Sequence, residues 1–190
     1  MNRGIRLGKD RTTMSEMPFK PKEIQQLARR WHKKQVAWRR HLHQYPEIAN
    51  QETNTTAFLK KELHQIGLKI LPLKLKTGVL AEVKGKQPGP TVAIRSDIDA
   101  LPLQEETGVS YASKNFGRMH ACGHDVHMAT MLGVAAALAE WRDKLTGNVR
   151  FIFQPAEEDP PGGARFMIEQ GALDNVDTIF GMHVDPHLKV

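Results

Sequence analysis

From residue 91 onward the hydrophobic period switches repeatedly between that of a strand and that of a helix. Thr91-Val92-Ala93-Ile94-Arg95 reads as a short strand. A long irregular segment, about 100–121, leads into an apolar helical stretch over 125–140. A strand over 149–153 (Val-Arg-Phe-Ile-Phe), a helix over 163–170 and a strand over 178–182 follow. Strand, helix, strand, helix, strand is the order of an α/β layered domain, with helices packed on a sheet. Ligands in such folds sit beyond strand ends, where the loops gather.

The first half is expected to add two helices and two strands. Pro21 is placed to open a helix reaching about Gln44, with Ile24, Leu27, Ala28, Trp31, Trp38 and Leu42 on one side and Tyr45-Pro46 as its stop. A second helix is expected over Glu52–Ile66, with Asn50 as a cap and Gly67 as its exit. Residues 68–75 and 78–84 alternate apolar with polar as half-buried strands do, turning at Thr77-Gly78. Lys86-Gln87-Pro88-Gly89-Pro90 reads as another turn.

The chain has 190 residues and a formal charge of +6, with 40% hydrophobic and 25% charged residues, an ordinary globular balance. Much of the positive charge lies in the first 40 residues, including Arg29, Arg30, Lys33, Lys34, Arg39 and Arg40. Without a nucleic-acid motif or stacking platform, this reads as a solvated helix face rather than a nucleic-acid surface. No apolar run is long enough to span a membrane. Residues 1–17 are basic and lack the apolar centre of a secretory signal. They read as a disordered arm or an overextended start, leaving 18–190 as the domain. A single cysteine forms no internal disulfide, which fits a cytoplasmic location and leaves a thiol free for metal or catalysis.

Chemistry-bearing residues collect at the ends of these elements. His120-Ala121-Cys122-Gly123-His124-Asp125 places the cysteine between two histidines, directly before the apolar helix. Asp125 is expected to be the N-cap, and the helix dipole to favour the thiolate of Cys122. Taken alone, the segment reads equally as an inert buried cysteine beside a capped helix. Glu157 and Glu158 follow an apolar strand, where adjacent carboxylates repel unless one is protonated or a cation is present. In isolation they read more simply as an acidic surface turn. His183 ends the last strand, and His187 is a weaker candidate. Asp97 and Asp99 share one face at a strand end and are placed to orient a ligand histidine, as are, less directly, Asp125, His120 and His127. The joint occurrence shifts the reading toward a hydrolytic metal site, where one carboxylate holds a metal and its neighbour handles a proton.

The segments Arg40-His41-Leu42-His43 through Pro46-Glu47, Arg95-Ser96-Asp97-Ile98-Asp99-Ala100-Leu101-Pro102, Met119 through Asp125, Gln154-Pro155-Ala156-Glu157-Glu158 and Gly181-Met182-His183-Val184 together resemble the M20 metallopeptidase family. The resemblance covers roughly residues 35–190, and is strongest to the amidohydrolases of N-acyl amino acids. It implies Cys122, His124, Glu158 and His183 as ligands of two divalent ions, zinc or manganese, with cobalt or nickel also accommodated. It implies Glu157 as the general base that activates water against the amide of an N-acyl amino acid. It further implies an α/β/α sandwich interrupted by a lid domain that mediates homodimerisation, and a further histidine ligand beyond the lid. The expectation is therefore a partial catalytic domain without its lid, the N-terminal portion of a longer enzyme. Two other readings remain at this point: a metal-free hydrolase with Cys122 as nucleophile activated by His120 or His124, and a non-catalytic metal-binding fragment.

Overall fold

A computed structural model of the chain describes residues 19–185, 187 and 188. The reading of residues 1–17 as an arm or mis-set start lies outside them. Helix α1 runs Pro21–Gln44, with proline at its start and the Glu23 carboxylate accepting the Lys20 N–H at 2.9 Å. Helix α2 spans Thr53–Ile66 and closes on Gly67, whose φ of +88° suits glycine. Its N-cap is Glu52 rather than the expected Asn50, which lies in the preceding loop with φ +64°.

Strands β1 (Lys69–Leu71), β2 (Val79–Lys84), β3 (Gln87–Asp97), β4 (Thr146–Gln154) and β5 (Thr178–Gly181) form one sheet in the order β1-β2-β4-β3-β5. The pairs β1–β2 and β2–β4 are antiparallel, whereas β4–β3 and β3–β5 are parallel. Residues 87–90, read from the sequence as a turn, form the irregular start of β3, where the register shifts between Gln87 and Thr91. Prolines lack the N–H a regular ladder needs, which confines them to such positions. Only three residues of the expected strand over 68–75 pair.

The sheet is covered on both faces, giving an α/β/α layered architecture. Helix α3 (His124–Glu140) and α2 cover one face, and α1 packs along α3. Their core joins Trp38, Leu42, Leu59, Leu63, Met128, Met131 and Leu132 to Val79, Ala81, Phe151 and Phe153 of the sheet. The alternate residues Leu80 and Ile152 point the other way, onto Met167 of α4 (Gly163–Glu169) and Ala172. Among the described residues, no helix is long and apolar enough to cross a membrane. Because β4, β3 and β5 run parallel, their C-terminal ends emerge together. That single edge receives Asp97 and Asp99 after β3, the two glutamates after β4 and His183 after β5.

Candidate metal centre

Helix α3 begins on Gly123, the N-cap, at φ +83°. A Cβ there would be strained and would collide with the side chain of Val184. Glycine thus lets the segments carrying Cys122 and His183 approach each other, and Cys122 Sγ lies 3.9 Å from His183 Nε2. Asp125 is not the cap. It sits in the first turn, where its carboxylate accepts hydrogen bonds from Arg39 Nε at 2.8 Å and from His43 Nδ1 at 2.8 Å. It makes no hydrogen bond to a candidate ligand among the described residues, so it supports the helix start rather than orienting a ligand.

His124 is buried and its orientation is set by Asp99. Its Nδ1 lies 2.8 Å from the Asp99 carbonyl oxygen, which can only accept, so Nδ1 carries the hydrogen. Nε2 is left facing Glu158 Oε1 at 3.7 Å, Glu157 Oε2 at 3.9 Å and Asp97 Oδ1 at 3.6 Å. Burial opposes charging of this imidazole, but the Asp99 hydrogen bond and the charges of Asp97 and Asp99 outweigh it and raise its pKa. Asp97 and Asp99 are lowered in turn: burial acts upward and is overcome by hydrogen bonds from His127 and His124 respectively, and by the nearby histidines.

The Cys122 thiol behaves opposite to expectation. Burial, then hydrogen bonding to Glu158 and the charges of Glu158, Asp97 and Glu157, push it up to about 12. Burial and three carboxylates at close range all disfavour the thiolate. A divalent cation among them would reverse that balance and favour the thiolate.

Glu157 and Glu158 are not enclosed in apolar surroundings as their strand suggested. The strand is buried, but the two side chains are 37% and 27% exposed at the mouth of the site. Asp99 reaches them as well, its Oδ2 accepting the Glu158 N–H at 3.0 Å. On the opposite wall His127, one turn after His124, links two segments. Its Nδ1 donates to Asp97 Oδ1 at 2.7 Å and its Nε2 accepts the Val184 N–H at 2.9 Å, fixing the backbone beside His183. His120 is buried with neither ring nitrogen hydrogen-bonded, and burial lowers it to about 4. His187 is exposed and away from this constellation, its N–H bonded to Asp185.

One donor atom each from Cys122, His124 and Glu158 lies within 4.8 Å of the others. Donors at about 2.0–2.3 Å from one ion stand roughly 3.3–3.8 Å apart, and the His124 Nε2–Glu158 Oε1 separation of 3.7 Å falls in that range. Asp97, His124 and His127 form a second such group. There both nitrogens of His127 are already engaged, and the Cys122 group is the open one. Glu52, His43 and Glu105, none of them singled out from the sequence as a site residue, are also buried. Their signal was weak, because a single acidic or basic residue in an amphipathic segment does not disclose its burial.

The family described as Peptidase family M20/M25/M40 matches residues 93–190. This chain belongs to that family. Among M20 relatives it is 51% identical over 158 residues to an N-acetyl-L-cysteine deacetylase of Bacillus subtilis, covering 83% of this chain and 38% of the relative. It is 50% identical over 149 residues to an N-acyl-L-amino acid amidohydrolase of Geobacillus stearothermophilus, covering 78% and 40%. In structure it is similar to the Bacillus subtilis YXEP protein, described as a dinuclear metal binding peptidase from the M20 family, with a TM-score of 0.82 and 50% identity over 85% of this chain and 45% of that one. The chain thus spans about two fifths of the length of the curated relatives it matches.

Proposed function

We propose that this chain carries the metal-binding edge and the general base of a hydrolase that cleaves the amide bond of N-acyl amino acids. The observation that carries the reading is the environment of His124 Nε2, which faces both Glu157 and Glu158 with Cys122 alongside. The relatives named as a deacetylase and an amidohydrolase support the substrate class. Cys122, His124, Glu158 and His183 would hold the metal, with zinc, manganese, cobalt and nickel all suited to a mixed sulfur, nitrogen and oxygen set. Two divalent ions bound there would supply Lewis acidity toward the acyl carbonyl and toward water.

The residues of the chain itself divide the remaining work. Glu157 belongs to neither candidate metal group, so it is free to take a proton from the attacking water and return it to the leaving nitrogen. Water adds to the acyl carbon, the carbon–nitrogen bond breaks, and a carboxylate and an amine result. Asp99 holds the His124 ring and the Glu158 backbone, and His127 holds the strand exit beside His183. A cytoplasmic setting, a further histidine ligand and a dimerising lid in a longer chain complete the proposal.

The alternative with Cys122 as nucleophile has less support. Its thiol is pushed up rather than down, neither ring nitrogen of His120 makes a hydrogen bond, and the imidazole hydrogen-bonded to sulfur is that of His183, at 3.9 Å. A test uses N-acetyl-L-cysteine and N-acetyl-L-methionine as substrates and cobalt(II) as a spectroscopic probe. Glu157→Gln is expected to leave cobalt binding intact while lowering turnover about 10²–10⁴-fold. Unchanged turnover in that variant would overturn the role of Glu157. Cobalt uptake without any hydrolysis by the wild type would reduce the function to metal binding.

A further inference from the structure

The chain that leaves β4 must reverse within two residues to bring Glu157 and Glu158 to His124. It does so through Ala156, which is 2% exposed and has φ +48°, a left-handed conformation that is unfavourable for a residue with a Cβ. The sheet ladder ends at Gln154, so the buried Ala156 N–H has no strand partner and needs another acceptor. The acceptor is a side chain 104 residues earlier: Glu52 Oε1, at 2.7 Å, from a glutamate with no exposed surface. The Ala156 carbonyl is held on the other side by the Gly163 N–H at 3.0 Å. Glu52 Oε2 makes no hydrogen bond. A buried carboxylate is expensive to maintain, and the short hydrogen bond of this one goes to the residue that precedes the paired glutamates.

We infer that Glu52 is a positioning residue, whose carboxylate grips the Ala156 amide and so holds the left-handed turn that presents Glu157 and Glu158 to His124. The inference rests on the metal-site reading for its functional consequence, but its structural core does not. Glu52 touches neither metal donors nor reacting atoms; it acts through the backbone. The same helix start reinforces the hold, since Thr56 Oγ1 accepts the Gly78 N–H at 2.9 Å, and a Cβ at Gly78 would meet the ring of Pro155.

Hydrogen exchange at the Ala156 amide of the wild-type chain reads the grip without metal or substrate. Slow exchange is expected, and exchange as fast as an exposed loop amide overturns the proposal. In Glu52→Ala that amide should become fast and cobalt(II) affinity should fall about 10–100-fold, the usual effect of removing an outer support. Glu52→Gln keeps an oxygen acceptor in the same shape and is expected to retain most of the affinity, which also serves if the alanine variant does not fold. Adding Ala156→Gly to Glu52→Ala removes the penalty of the left-handed turn and should restore part of the cobalt affinity. A residue that merely filled space would show no such rescue, and wild-type affinity in Glu52→Ala would sink the idea. If the wild-type chain takes up no cobalt, the metal-site reading fails, while the Ala156 exchange still decides whether Glu52 holds the turn.

Discussion

At Cys122 burial first, and then the hydrogen bond to Glu158 and the negative charge of Glu158, Asp97 and Glu157, raise the thiol, although it lies beside the start of α3. Without metal, the thiol pushed up to about 12 should react with iodoacetamide at pH 8 at least about tenfold more slowly than free cysteine, since the thiolate is the nucleophile. Rapid labelling of the metal-free chain would contradict this and revive a nucleophilic cysteine. Its neighbour Gly123 combines φ +83° with the close approach of Val184. Gly123→Ala is expected to destabilise the fold by at least about 1–2 kcal/mol from the backbone alone, and to weaken cobalt binding by displacing the segment that carries His183. Urea titration and cobalt titration of the same variant check both.

The start of α3 is held from behind by an ionic cluster that joins α1 and α3 to the loop carrying Glu105. His43 of α1 lies between Asp125 Oδ2 at 2.8 Å and Glu105 Oε1 at 3.1 Å, and Arg39 shares the same Asp125 oxygen. The Asp125 hydrogen bond is the largest influence on His43 and raises its pKa, against burial and with help from Glu105. Glu105 is lowered: burial acts upward, but hydrogen bonds from Thr107, Ser113 and His43 prevail. The signs set opposite limits. The His43 contribution is full below its unfolded value of about 6.5 and is lost as pH rises through its raised folded value. The Glu105 contribution is full above its unfolded value of about 4.3 and is lost as pH falls through its depressed folded value. Urea unfolding followed across pH should therefore show maximal stability between these limits, and His43→Leu should shrink the alkaline limb, leaving the part that the raised pKa of His124 supplies. That substitution leaves facing carboxylates without their shared partner, at a cost of about 3–5 kcal/mol. An unaltered pH profile in the variant would show that His43 stays neutral in the fold.

For the molecule as a whole, the strand order leaves β5 on an open edge. Ile179 and Phe180 on that strand, with Phe166 and Ile168 on α4, are all substantially exposed. An unprotected edge carrying apolar side chains is a template for association. Light scattering over a tenfold concentration range should show the chain self-associating, and Ile179→Lys should shift it toward monomer. A strictly monomeric wild type at every concentration would contradict this. The centre of the sheet differs, because its core is closed: Phe151 and Phe153 of β4 are fully buried in the cluster they share with α2 and α3.

Periodicity and turn chemistry read locally, and they carried most of the elements. Pro21, Tyr45-Pro46 and Gly67 mark helix ends that the fold keeps, because φ restriction and missing donors act on the residue itself. The layered α/β class was legible from the same alternation, and the motif residues were legible by resemblance. Asn50 and Asp125 were misjudged as caps because a side chain that can cap also serves distant partners, and tertiary contacts choose between them. The lengths and pairing of the strands also escaped local reading, since they depend on which edges meet. Only the folded chain decided that Glu157 and Glu158 face an open mouth, that burial and three carboxylates raise Cys122, and that Glu52 reaches Ala156. The reason is one of range. Backbone conformation answers to neighbours within a few residues, whereas charge, burial and the capture of an unpaired amide answer to whatever the parallel strands bring to the same edge.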